Sequence, residues 1–514
     1  MVRVETREGR GAFARMRQKR FLQNGGAIYY ESADPSQQTG LIEASTPECR
    51  SPGQLLLYQR AQERLLTESL QALAPSGGRL SLRKNCMDAA GNVYGAQESY
   101  SIPVATGWRL HALRAGLVGI ALILIPCSLL CRLLVFLLLV LLIVSLIIVL
   151  PIEIARGMIR DLDASELFSW LEPMLRPLNV LEGFIRRASL SLPGLLFLLL
   201  MRALAFRPQR TQAAAFLASR QVISGAGTLR EDGGFSLAEK ASVVQRVFPL
   251  RMWGKQRYMF DPANLHKDLL GISFGESRRL LRLARPVWRL QVGMSDANMC
   301  HVAEYLKIGT TVLTFDAIEA GALVDAPRLA RPAEAARTIA AEGIHAEVAL
   351  RNGGTTTGLA LQRWYHTRLT AWLTESGTVS MEAHDVLQRW GDVLDRLEHD
   401  PDDLIGELDW VTKQALIDEA GEGLSDAARK KIDLRYHEIG TGYFAWLDDA
   451  GGAVRLLTDS AIDAAIHSAP DDTPATMRGR LIRESPRHAR VDWDEASIGG
   501  RVISFTEHVK KRGK

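Results

Sequence analysis

The stretch "KNCMDAAGNVYGAQESY", residues 84–100, sets Asn85, Asp88, Asn92, Tyr94, Glu98 and Tyr100 among glycines, in the manner of a catalytic segment of a soluble enzyme. Its glycines and Asn92 equally suit a tight strand-to-strand turn that needs positive φ. Arginines at 278, 279, 282 and 285 could meet phosphate, although their helical spacing also puts them on one solvated face. The five cysteines, Cys49, Cys86, Cys127, Cys131 and Cys300, form no CxxC pair and no metal-ligand spacing. A reducing compartment without disulfides or structural zinc is the expectation.

The elements that must position such groups read as α+β. "GAIYYES" and "RLSLRKN" have strand character, and "GQLLLYQRAQERLLTESLQAL" after Pro52 is an amphipathic helix. Long helical stretches follow at 298–321 and 359–398. Turn signals at "DDAGG" and "SAPDDTP" mark 425–514 as a small C-terminal domain. At 514 residues, 47% hydrophobic and 23% charged, the chain is long enough for two or three domains. A net charge of +4 is too small to argue for nucleic acid. The basic run over 3–20 reads as a solvated or lipid-headgroup-facing tail.

Inside this pattern sits a segment, 107–210, of different composition. Between Gly116 and Pro151 only Arg132 is charged, a run of about 36 residues or about 54 Å of helix against roughly 30 Å of hydrocarbon. A second run, "LSLPGLLFLLLMRALAF" (190–206), carries Arg202, and the stretch between them reads as interfacial and amphipathic. The opening residues are polar and basic, so no signal peptide is expected. If the chain on both sides forms one domain (1–106 with 211–424), the crossings must be even in number. The expectation is an inserted transmembrane hairpin, or a first run that folds back near 126–132 while the second lies in the interface. Either gives a multi-pass membrane protein with its folded domain cytoplasmic.

Read in order, "NGGAIYY", "KNCMDAAGNVYGAQESY", "FLASRQVISGAG", "SDANM…YLKIGTTVLTFDAIEAG", "ELDWVTKQAL", "KIDLRYHEI" and "DDTPATMRGRLI" resemble the prokaryotic ubiquitin-like protein (Pup) ligase and depupylase family. "TTTGLALQRWYHTRL" and "GGFSLAEKA" look closer to the depupylase side. The resemblance implies a glutamine-synthetase-like antiparallel sheet with helices. It also implies carboxylate–amine chemistry: a ligase phosphorylates the modifier's C-terminal glutamate with ATP and joins it to a target lysine, and a depupylase cuts that isopeptide bond. Such chemistry needs oxygen ligands for Mg²⁺, cations for phosphate and a carboxylate base.

The resemblance implies site residues one by one. Glu5 and Thr6 match the family's Glu-Thr-Glu, whose last position is Arg7 here. Glu31 stands where the family has its catalytic aspartate; a side chain about an ångström longer can cost on the order of 100-fold in rate. Glu43 and Glu48 survive from a His-Pro-Glu-Tyr-x-x-x-Glu-Cys block, and Glu98 from a His-Glu-Asn triplet that faces the metal. Glu5, Glu43, Glu48 and Glu98 are therefore the expected metal ligands. A histidine and an arginine of the nucleotide site are replaced within "ESRRLLRLARPV". Of two C-terminal arginines only Arg478 remains as a cofactor-binding candidate, the other being Pro474. Asp409, Trp410, Asp433, Tyr436 and His437 match too and suit a domain junction.

These losses together imply a membrane-anchored family member with weakened or lost ATP chemistry, a degenerate or regulatory partner that binds a Pup-like modifier or an active paralogue. The alternatives are an active ATP- and Mg-dependent ligase or isopeptidase with Glu31 as base, and a membrane scaffold.

Overall fold

A computed structural model describes residues 19–34, 39–73, 81–88, 91–160, 191–249, 257–261, 281–377, 380–421, 423–484, 489–499 and 501–505. Strands β1 (Lys19–Phe21), β2 (Ala27–Asp34) and β3 (Thr39–Ser45) form an antiparallel sheet in that order, with Tyr29 opposite Glu43 and Glu31 opposite Leu41. The "NGG" after β1 makes its turn: Gly25 has φ 80°, and the Gly26 N–H donates to Asn24 Oδ1 at 3.0 Å. A side chain at Gly25 would also collide with Ala475. The Pro52–Leu73 helix follows, with proline at its first position, where a missing N–H costs nothing.

The second sheet joins segments on either side of the insertion. Strands β4 (Ala96–Pro103), β5 (Thr228–Leu229), β6 (Phe235–Ser236), β7 (Phe260–Asp261) and β8 (Val287–Ser295) come next in the chain. β8 lies between β4 and β7, antiparallel to both, with Ser99 opposite Gln291 and Ser101 opposite Arg289. Alternation gives this sheet two faces. Tyr100, Ile102, Trp288, Leu290 and Val292 face the main core. Against them pack the Ala214–Ser224 helix, in which every residue is buried, and the nearly buried His301–Glu319 helix.

Three buried aspartates pin the loops around those helices. Asp296 accepts the N–H groups of Ala226, Glu239 and Lys240. Asp409 accepts those of Met299 and Cys300, at the start of the His301–Glu319 helix, where Cys300 makes no side-chain cap; it also takes Asn298 Nδ2 and Tyr436 Oη. A carboxylate from 109 residues away thus does the work of an N-cap. Asp433 takes Leu229 N and the ammonium groups of Lys413 and Lys430. Tyr436 and Phe444, beyond residue 425, belong to the same core.

The expected transmembrane hairpin is corrected by this structure. The first apolar run does not fold back near Pro126: it lies within one helix, Trp108–Arg160. The second run forms the helix Ser191–Leu204, about 21 Å long and so short of the roughly 30 Å a crossing needs. Its Phe197, Leu198 and Met201 are buried, and Leu200 meets Gly116 at the base of the long helix. There Leu113, Leu117, Ile120 and Leu124 are buried too. One side of the second run is packed, while its Leu192, Leu195 and Leu199 stay exposed; its length leaves Trp108–Leu137 as the helix long and apolar enough to cross a membrane among the described residues, by length and composition alone. The segment departs and re-enters at one point, where the Phe206 N–H donates to Val104 O at 2.7 Å.

Candidate functional site

Each candidate lands in a different setting. On the β2–β3 hairpin, Tyr29 stands opposite Glu43 in the register, and the backbone of Glu31 stands opposite Leu41. The Tyr29 hydroxyl donates to Glu43 Oε1 at 2.7 Å and meets Ser45 Oγ at 2.5 Å. Burial pushes the Tyr29 phenol up to about 12, against the pull of Ser45 and of Arg289 on β8. Tyr29 therefore stays protonated and holds Glu43 as a donor.

Glu48 and Arg478 come together as a pair. Both Glu48 oxygens accept from the Arg478 guanidinium, at 3.2 and 2.6 Å. Arg478 is 0% exposed, donates further to Gly25 O and Trp493 O, and lies 5.3 and 4.6 Å from the rings of Phe21 and Trp493. Its fork is fully used in fastening the Pro474–Glu484 helix to the β1–β2 turn.

Glu98 points into the core, away from the hairpin. Arg220 holds it bidentately, at 2.8 Å on each oxygen, and Tyr100 donates a further bond. Burial opposes the charged form, but the Arg220 guanidinium and the Lys307 ammonium outweigh it and hold the carboxyl below its usual range. Arg220 also donates to Thr311 Oγ1 and Met294 O. With its oxygens so used, Glu98 does not join Glu43 around one ion in this arrangement. Glu5, Arg278 and Arg279 lie outside the described residues.

The opposite face of the same sheet is polar and open. Gln97, Ser99, Ser101 and Arg289 are exposed there; Gln291 Nε2 donates to Gln97 Oε1, and Arg289 Nε donates to Ser99 Oγ at 2.9 Å. Residue-type reasoning missed these groups because none is an acid or a histidine. The signal was nevertheless present in "VWRLQV", where Arg289 and Gln291 alternate with Trp288, Leu290 and Val292. This face and the hairpin carboxylates fit Mg²⁺ with ATP as donor types, carboxylate oxygens for a hard cation and a guanidinium for phosphate. A buried trio, Cys86, Glu239 and Asp296, has its ligand-type atoms within 4.8 Å of one another. Asp296 is already satisfied by three backbone N–H groups, and burial raises Glu239 to about 8, so the trio holds the loops together.

The family described as Pup-ligase protein matches residues 3–497. The chain belongs to that family. This member is 26% identical over 501 residues to the Pup deamidase/depupylase of Mycobacterium tuberculosis (strain ATCC 25618 / H37Rv), covering 93% of this chain and 75% of that protein. Two solved structures, each 21% identical and covering 96% of this chain, share its fold. One is the Pup ligase PafA in complex with ADP, at TM-score 0.62 and 90% of that chain. The other is the complex between Pup and its ligase PafA, at TM-score 0.63 and 84% of that chain. The fold is thereby α+β and glutamine-synthetase-like, as expected.

Two expectations are corrected by these matches. The expectation of a degenerate or regulatory member is overturned in favour of its alternative, which is taken up below: the family that matches residues 3–497 is described as Pup-ligase protein, and the solved structures of like fold are those of the Pup ligase PafA with ADP and with Pup. The multi-pass membrane location is likewise set aside: the insertion supplies no second crossing helix among the described residues, and the aligned structures are complexes with nucleotide and with Pup.

Proposed function

We propose that this chain is an active ATP- and Mg²⁺-dependent enzyme that joins, or cleaves, the bond between the C-terminal glutamate of a small Pup-like modifier and a lysine side chain. The observation that carries the reading is the family match over residues 3–497, and beside it stand the Glu43 carboxylate held by Tyr29 on the hairpin and the polar, exposed face of β4 and β8 that carries Arg289. Glu43 supplies oxygen for Mg²⁺, and Arg289 a cation for phosphate. Bound there, Mg-ATP would supply the activation that a carboxylate needs before an amine can displace its oxygen.

The protein's own part is orientation and proton handling. Glu31 takes the proton from the attacking lysine Nζ, or returns it when the bond is cut. Tyr29 keeps Glu43 in place through its 2.7 Å bond. The pairs Glu98–Arg220 and Glu48–Arg478 fix the sheet and the hairpin from behind.

The test is direct. The full chain is incubated with Mg-ATP, a modifier ending in glutamate and a lysine-bearing acceptor, and separately with the joined product, and masses are followed. Conjugation or cleavage that Glu31→Gln lowers by 100-fold or so supports the reading. Wild-type protein that does neither overturns it.

A further inference from the structure

The base of the insertion gathers cations without acids. The Ser191–Leu204 helix and the short helix Arg207–Gln212 meet at Phe206, which is buried and holds φ 49°, and the turn it makes brings Arg210 back against Arg202. Arg210 Nη2 donates to Arg202 O at 2.7 Å, and its guanidinium lies 4.4 Å from the Phe248 ring. Arg202 Nη1 donates in turn to Pro249 O at 3.3 Å. Arg207 stands three residues before Arg210, on the same side of the short helix.

Arginines elsewhere in the fold have their acids: Arg220 has Glu98, Arg478 has Glu48 and Arg60 has Glu63. Among the described residues no carboxylate pairs with Arg202, Arg207 or Arg210, and Arg210 Nε is buried without an acceptor. Burial, and then the charges of Arg202 and Arg207, bring the Arg210 guanidinium down to about 10. Three guanidinium groups on one turn repel one another with only carbonyls and a ring to offset it, and the complement they lack is an oxyanion with several acceptor oxygens. An apolar stripe also runs into the cluster. Leu192, Leu195 and Leu199 are exposed on the Ser191–Leu204 helix, and Arg202 follows at helical spacing on the same face.

We propose that Arg202, Arg207 and Arg210 form a binding site for a phosphate-type anion at the base of the insertion, on residues that take no part in the function proposed above. A free phosphate would rest on the guanidinium forks alone. A phosphate at the head of a lipid would in addition lay its chains along Leu199, Leu195 and Leu192.

The full chain is tested in two arms, as wild type and as the double variant Arg202→Gln with Arg207→Gln. Calorimetry at constant ionic strength reads inorganic phosphate, and flotation reads vesicles of phosphatidylcholine with and without phosphatidylglycerol. Loss of charge-assisted bonds predicts about tenfold or greater weakening for inorganic phosphate, and about fivefold per arginine for the phosphatidylglycerol-dependent part of vesicle binding. Weakened phosphate binding identifies a free anion as the ligand. Phosphatidylglycerol-dependent binding that the double variant loses, without uptake of inorganic phosphate, identifies a headgroup; each result supports the site. The exposed Arg331→Gln controls for lost charge and should bind as wild type does. Both substituted arginines are exposed, so the double variant should unfold at the wild-type temperature. Should it unfold lower, Arg202→Lys with Arg207→Lys is the variant to read; it keeps charge, loses the fork and should be weakened less. If wild type takes up neither inorganic phosphate nor vesicles in a phosphatidylglycerol-dependent way, or if the variant read takes up both as wild type does, the proposal is wrong.

Discussion

The two faces of β4 and β8 carry the same side-chain chemistry to opposite ends. On the inner face an acid and a base, Glu98 and Arg220, close on each other at 2.8 Å and are finished with tyrosine, threonine and carbonyl partners. On the outer face, among the described residues, Arg289 meets a serine and no acid, and the amides of Gln97 and Gln291 meet one another. A buried ion pair that is satisfied in full stabilises a register and offers a ligand nothing. An oriented, solvent-facing cation adds little stability and remains able to bind. The kind of residue therefore does not mark the site; its remaining hydrogen-bonding capacity does.

The largest effect should come from breaking the inner face. Arg220→Ala strands Glu98 in the core and is expected to cost about 3–5 kcal/mol in chemical unfolding. The double variant Glu98→Gln with Arg220→Met should recover part of that loss; no recovery would mean the pair is not the unit described.

A second test uses pH. Glu239, raised to about 8 by burial, binds more protons folded than unfolded between roughly 4.5 and 8, so its contribution is whole below the lower value and fades as pH rises through the upper. Stability should fall with a slope of up to about 1.4 kcal/mol per pH unit in that window, and Glu239→Gln should flatten it. Glu304, lowered to about 2 because Lys307 and Lys84 outweigh the burial that opposes its charge, runs the other way: its contribution is present above about 4.5 and lost as pH falls toward 2.

Next in size is Asp409→Ala, which uncaps the His301–Glu319 helix and should cost about 2 kcal/mol, read as a lower urea midpoint with unchanged slope. The smallest effect belongs to the outer face. Arg289→Gln should shift ligand-free stability by less than about 0.5 kcal/mol. A loss several times larger would erase the contrast between the two faces.

Much of this was readable beforehand, for local reasons. The α+β class, the helix after Pro52 and the turn at Asn92 follow from periodicity and turn chemistry; the Asp88 carboxylate does take Asn92 N, with Gly91 at φ 75°. What could not be read was pairing across distance. Nothing local in "AQESY" says that Glu98 meets an arginine 122 residues later, or in "TPEC" that Glu48 meets one 430 residues later. The hairpin of membrane helices failed for a related reason: hydropathy does not tell lipid from a neighbouring helix, and the second run, too short to cross, buries Phe197, Leu198 and Met201 while Leu192, Leu195 and Leu199 stay exposed.

The clasp of Arg478 on Gly25 has a consequence in time. The two residues are 453 positions apart, so on the ribosome the first hairpin emerges long before the guanidinium that fastens it. At typical rates of synthesis that interval is on the order of 20–90 s. Through it Glu48 and the Phe21 ring must wait in solvent, with the turn unlatched. The N-terminal sheet is thus a late piece of folding although it is an early piece of synthesis, and a chain stopped short of residue 478 should leave the hairpin, with the carboxylates it carries, undocked.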